Sequence, residues 1–196
     1  MKIVALAILF AASLCVGCAP SPNDSTSANT SIDSAYHNNI STLYGYGGKV
    51  SKDSSGQEFA SNIIWRDSNG VERSLTDLKG KVIVLNFWAT WCTYCDQEMP
   101  DLQSISDSLS SQGLQVVGVS VDVGNSIFNM VQTYIDVKKI TFQIVIDPKA
   151  ITYFNYGGSG STLPWTYFID RNLKIRYIFE GEPSKLDFLK AIATIL

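Results

Sequence analysis

Cys92 and Cys95 stand two residues apart, directly after a β-branched, apolar run from Lys81 to Phe87 and where a helix should begin. A Cys-x-x-Cys at a strand-to-helix turn suits thiol–disulfide exchange. The unpaired N–H groups and the positive end of the helix dipole stabilise a thiolate on the first cysteine, and the second lies one turn on, close enough to close the ring. Cys92 would attack a partner disulfide to give a mixed disulfide, and Cys95 would resolve it, releasing the reduced partner and leaving Cys92 and Cys95 joined. Two other uses of the motif fail on the rest of the chain. Half of a zinc site needs a second pair of Cys or His ligands, and the remaining cysteines are Cys15 and Cys18, with His37 as the single histidine. Haem attachment needs a His after the second cysteine, where Asp96 stands. No metal and no cofactor is expected.

The other features bound where this chemistry takes place. The chain has 196 residues and a formal net charge of −3, and no Lys/Arg cluster is denser than the pair Lys138-Lys139, so nucleic acid has no electrostatic footprint to bind. Lys2, the apolar run Ile3 to Val16 and Gly17-Cys18 read as an export signal over residues 1–17, too short an apolar run to span a membrane. Its end, Cys15-Val16-Gly17-Cys18, resembles a bacterial lipobox, departing from it in having Cys15 where an aliphatic residue is usual; Cys18 is thus the expected lipidation site. Residues 18–56 turn to Ser, Thr, Asn, Gly and Asp with few large aliphatics, the composition of a flexible, lipid-anchored tether. The folded domain is expected over 57–196.

Within that domain, Phe59 to Trp65 and Val71 to Leu75 read as a hairpin around Asn69-Gly70. Lys81 to Trp88 reads as a buried central strand, being apolar, β-branched and too short for a helix. The cysteine helix is expected to run to about Ser111 with Gly113 as its stop, to bury Leu102, Ile105 and Leu109, and to kink at Pro100. Strands follow at Leu114 to Val121 and Thr141 to Ile146, with helices at Ile127 to Val137 and Lys149 to Tyr156. A hairpin of Trp165 to Ile169 and Lys174 to Phe179 turns at Asp170-Arg171-Asn172, and Leu186 to Leu196 closes the chain as an amphipathic helix. This alternation predicts an α/β protein with a mixed sheet covered by helices.

The run Phe87-Trp88-Ala89-Thr90-Trp91-Cys92-Thr93-Tyr94-Cys95 resembles the thioredoxin superfamily. Asn86, Glu98-Met99-Pro100 and the upstream Leu75-Thr76-Asp77-Leu78-Lys79-Gly80-Lys81 are similar to its exported, membrane-tethered TlpA/ResA-like branch. The resemblance implies a thioredoxin-like mixed sheet with an N-terminal β-hairpin and a central insertion. It implies a redox-active Cys92–Cys95 disulfide. It also implies a cis-proline loop at Thr162-Leu163-Pro164, whose Leu163 backbone pairs with the partner's extended chain; the alternative is an ordinary trans turn proline. The family commonly has a small residue after this proline, and this chain has Trp165. Thioredoxin proper carries a buried Asp at the position of Asn86, and Asn cannot ionise. Glu98, about 60° around the helix from Cys95, is the candidate for proton transfer, the alternative being a solvated helix carboxylate. Trp88 reads as packing, and Trp91 as a rim residue beside Cys92 that shapes the docking surface. Tyr153, Phe154 and Tyr156 read as core and loop packing.

Direction follows from the surroundings of the thiols. Thr93-Tyr94 brings no positive charge between the cysteines, and Asp96 should disfavour the thiolate, so the expectation is a reductant of exported protein disulfides. Across the fold the potential ranges over about 150 mV, or roughly 7 kcal/mol, so environment and not the motif decides. The resemblance suggests apocytochrome c as one substrate and a membrane thiol transporter as electron donor. A peroxiredoxin-like peroxidase and a redox-inert docking module are the alternatives; the residues a peroxiredoxin places before its cysteine are missing here.

Overall fold

The computed structural model describes residues 40–45 and 48–196; the leader, Cys18 and His37 lie outside the described residues. Three short strands come first: β1 (Ile40–Gly45), then β2 (Ser51–Lys52) paired antiparallel with β3 (Glu58–Phe59) as a separate ribbon. The hairpin β4 (Ile64–Arg66) and β5 (Glu72–Ser74) follows. Its turn is fixed by the Asp67 carboxylate, which accepts the N–H groups of Asn69 and Val71, and by Gly70, whose φ of +75° suits glycine. A 3-10 turn over Leu75–Leu78 leads into β6 (Val82–Trp88), buried at every position as expected of a strand covered on both faces.

The core strands assemble around β6. It runs parallel to β7 (Leu114–Ser120), with Val82 opposite Leu114 and Trp88 opposite Ser120, and antiparallel to β9 (Trp165–Ile169). β7 continues parallel to β8 (Gln143–Ile146), and β9 forms the expected hairpin with β10 (Ile175–Glu180). The eight-stranded sheet has the order β10-β9-β6-β7-β8-β1-β4-β5. Helix α1 (Thr93–Leu109) carries the second cysteine, passes through Pro100 without ending, and buries Leu102 and Ile105. Gly113, at φ +92°, stops the 3-10 extension that follows it. Helices α2 (Ile127–Lys138) and α3 (Ile151–Asn155) lie in the insertion between β7 and β9. The last helix, α4 (Lys185–Ala193), packs Phe188 against Phe168 and Phe179 and ties itself to α1 through a 2.8 Å bond from Lys185 Nζ to Ser104 Oγ. No helix among the described residues is long and apolar enough to cross a membrane.

The N-terminal part departs from the sequence reading in two ways. The stretch assigned to a tether contributes β1, which lies between β8 and β4, with Ile40 opposite Ile144 and Thr42 opposite both Ile146 and Arg66. Its composition is poor in aliphatics because the ladder on both sides holds it, and burying Ile40 and Leu43 suffices. Second, the hairpin does not begin at Phe59. That residue belongs to the small ribbon and bridges to Lys174, so the hairpin is the shorter pair β4–β5.

Candidate active site

Three backbone segments meet where β6 ends. The first is Ala89 to Cys92. Asp122, buried just past β7, accepts hydrogen bonds from the Thr90 N–H (3.0 Å), the Thr90 hydroxyl (2.7 Å) and the Ser120 hydroxyl (2.8 Å). These bonds fix the turn so that Cys92 caps α1, its Sγ accepting the Cys95 N–H at 3.1 Å. The cysteines are joined as a disulfide with Cα atoms 5.2 Å apart. They differ in access: Cys92 retains 7% exposure and Cys95 none. Trp91 and Tyr94, both more than half exposed, flank Cys92. Trp88 is buried against Tyr134, as its packing role required.

The second segment is the cis peptide Leu163-Pro164, in agreement with the expected loop. The register of β9 on β6, with Trp165 opposite Phe87, sets Pro164 beside the end of β6 from which the cysteine turn departs. Tyr153 holds this loop by donating its hydroxyl to the Thr162 carbonyl at 2.6 Å, and the Gly181 N–H donates to the Pro164 carbonyl at 2.8 Å. Trp165 packs between Tyr153 and Tyr167 and is almost wholly buried, so its ring belongs to the core and not to a docking surface. Of the insertion's aromatics, Tyr153 and Tyr156 are buried as expected, whereas Phe154 is exposed.

The third segment is the second turn of α1, where Glu98 is buried and not a solvated carboxylate. The Asn86 side-chain amide donates to Glu98 Oε1 at 2.6 Å and to Thr166 Oγ1 at 2.9 Å, while Glu98 Oε2 has no protein partner. Burial pushes the Glu98 carboxyl up to about 8; the Asn86 bond opposes this, and the Glu182 and Asp101 carboxylates add to it. A carboxyl that titrates near neutrality can both take and give a proton at working pH. Asn86, unable to ionise, therefore lies in direct contact with the group that can.

Several residues of the site were not picked out from sequence. Asp122 carried a signal in its place at the carboxyl end of a parallel strand, where open α/β sheets set their sites. Thr166, Lys138 and Tyr134 carried none, because their contacts join residues 38 to 80 positions apart. Asp96, read as a bare negative charge, is paired: Lys138 Nζ lies 2.6 Å from Oδ1, and the Tyr134 hydroxyl donates to the same atom at 3.0 Å.

Known proteins resemble this chain in sequence and fold. The model of the AhpC/TSA family matches residues 56–178. Thiol-disulfide oxidoreductase ResA of Geobacillus thermodenitrificans is 35% identical over 136 residues, 69% of this chain and 75% of that protein. ResA of Bacillus cereus is 34% identical over 146 residues, 74% of this chain and 80% of its own. Among solved structures, a DsbF homologue from Corynebacterium diphtheriae superposes with a TM-score of 0.62 at 29% identity, covering 78% of this chain and 98% of the homologue. A thiol:disulfide interchange protein of the thioredoxin family from Chlorobium tepidum gives 0.60 at 25% identity, covering 70% and 94%.

Proposed function

The chain belongs to the AhpC/TSA family and is a thiol–disulfide oxidoreductase of thioredoxin-like fold, and we propose that it reduces disulfides of exported proteins. The observation that carries this reading is the unequal access of the two sulfurs. Cys92, at the helix start, is within reach of a partner, and Cys95 is sealed one turn inside. The reduced Cys92 thiolate attacks the partner disulfide and displaces one partner sulfur as a thiolate, which is protonated. Cys95, giving up its proton to Glu98, then attacks Cys92 Sγ; the partner's second thiol leaves and the Cys92–Cys95 disulfide closes. The exposed Trp91 ring and the Leu163 backbone beside Pro164 receive the partner chain, the latter as an added strand.

Place and supply of electrons complete the proposal. Cleavage after Gly17 would leave Cys18 to carry acyl chains, each buried methylene contributing about 0.8 kcal/mol to membrane attachment. The protein would then be anchored to the bacterial cell envelope, facing the periplasm or extracytoplasmic space, and draw electrons from a membrane thiol transporter. Apocytochrome c before haem attachment is a substrate consistent with this. The test is a Cys95→Ala variant of the full chain, expressed in its host. Partners are expected on Cys92 as mixed disulfides that reductant releases, and the parent protein is expected to reduce insulin. No captured partner together with no insulin reduction would leave the redox-inert docking module as the better reading.

A further inference from the structure

Asp96 stands four residues after Cys92, so the two share a helix face one turn apart, and the Asp96 N–H donates to the Cys92 carbonyl at 3.0 Å. Its carboxylate is gripped from α2 by Lys138 Nζ at 2.6 Å and the Tyr134 hydroxyl at 3.0 Å, and these two contacts hold it below the usual carboxylate range. Tyr134 and Lys138 are themselves one turn apart, with the ammonium 5.9 Å above the Tyr134 ring, and that ring packs on Trp88 at 4.9 Å between centroids. The bridge therefore runs from the last residue of the central strand through α2 to the turn of α1 that follows Cys92.

We propose that Lys138, oriented by Tyr134, is a positioning residue for the disulfide exchange: by neutralising Asp96 it keeps the Cys92 thiol acidic enough to attack. The charged surroundings give it that weight. Glu98, about 200° around the helix from Asp96, keeps its proton up to about pH 8, and Glu182, close enough to raise the Glu98 carboxyl, is acidic. So is Asp122, which holds the Thr90 turn. Lys185 meets α1 farther along, at Ser104 and Asp101. Lys138 is thus the cation brought to the first turn of α1 among the described residues. An unpaired carboxylate one helical turn from a thiolate, with Cβ atoms about 5–6 Å apart, shifts its pKa by about half a unit to one unit. As a mere clamp between helices, a half-exposed ion pair would do little.

The inference rests on Cys92 being the attacking thiol. The experiment is the pH profile of alkylation by iodoacetamide of the reduced full chain, followed at each cysteine by mass spectrometry. In Lys138→Met the Cys92 midpoint is expected to rise by about half a unit to one unit. Insulin reduction at neutral pH is expected to fall about two-fold, since the scarcer thiolate is also the stronger nucleophile. Lys138→Arg restores both. Asp96→Asn moves the midpoint down, the double variant Asp96→Asn/Lys138→Met returns it to the parent value, and half-molar salt shrinks every difference. Single variants that leave the Cys92 profile in place, or move it in the same direction, overturn the proposal. Alkylation of Cys95 ahead of Cys92 would instead overturn the assignment of the nucleophile, so the two failures are distinguishable.

Discussion

At the scale of single residues the site turns on Glu98. In the proposed mechanism Glu98, with its free Oε2 and its bond to Asn86, takes the proton of Cys95, so Glu98→Gln is expected to slow resolution of a mixed disulfide about 100-fold. The dependence of the rate on pH near 8 should disappear with it. Stopped-flow measurement with a single-turnover disulfide peptide checks both, and an unchanged rate and profile would remove Glu98 from the chemistry. The same residue makes a stability prediction. Its carboxyl binds its proton more tightly folded than unfolded, so between the ordinary carboxylate range and about 8 the native state carries the extra proton and stability falls as pH rises. Asp147, also raised by burial, acts in the same sense. Glu98→Gln should flatten Glu98's share, so urea unfolding at pH 8.5 is expected to favour the variant by up to a few kcal/mol, with little difference at pH 4. A gap independent of pH would show that Glu98 does not titrate as described. Cys92, Cys95 and Glu98 were legible in the sequence because spacing along one helix fixes their relation. Asn86 was legible as a position, but its bond to Glu98 depends on how β6 faces α1.

At the scale of elements, two loops rather than helices set the precision of the site. Asp122 holds the turn before Cys92, and Asp122→Ala would leave the Thr90 N–H and two hydroxyls without their acceptor. A loss of about 2–4 kcal/mol is expected in chemical denaturation, with Cys92 becoming more accessible to alkylation in the native protein. On the other side, a Cβ at Gly158 would run into the ring of Tyr153, whose hydroxyl holds Thr162. Gly158→Ala should therefore cost about 1–3 kcal/mol and raise the KM for protein disulfides more than it alters exchange with glutathione, which needs no cis-proline loop. The strands β6, β7 and β9 and the helices α1, α2 and α4 were legible from apolar runs, helical periodicity and glycine stops. β1 was not, since Ile40-Ser41-Thr42-Leu43 gains its place from neighbours on both sides. The small ribbon of Ser51–Lys52 and Glu58–Phe59 escaped for a related reason: two-residue strands carry no period.

At the scale of the whole molecule, the sheet sets two cysteines at the end of its central strand, with a buried acid on one side of α1 and a neutralised one on the other. Nothing positive stands between the cysteines, where Thr93-Tyr94 lies, and Asp122, which holds the Thr90 turn, and Glu182, which raises the Glu98 carboxyl, are both acidic. On the proposed reading a thiolate so placed gains little beyond the helix start and the Lys138 bridge, so that the reduced form is not favoured and the couple donates electrons. The fold class was readable from residues; the burial of Trp165, which closes the cis-proline loop with its own core, was not, because its neighbour Tyr153 packs on it from another part of the chain. The most direct test is the equilibrium of the Cys92–Cys95 couple with a glutathione buffer at neutral pH. A reduction potential well below that of protein disulfide isomerase, about −180 mV, is the predicted result; a value near the strong oxidant DsbA, about −120 mV, would contradict a reductase.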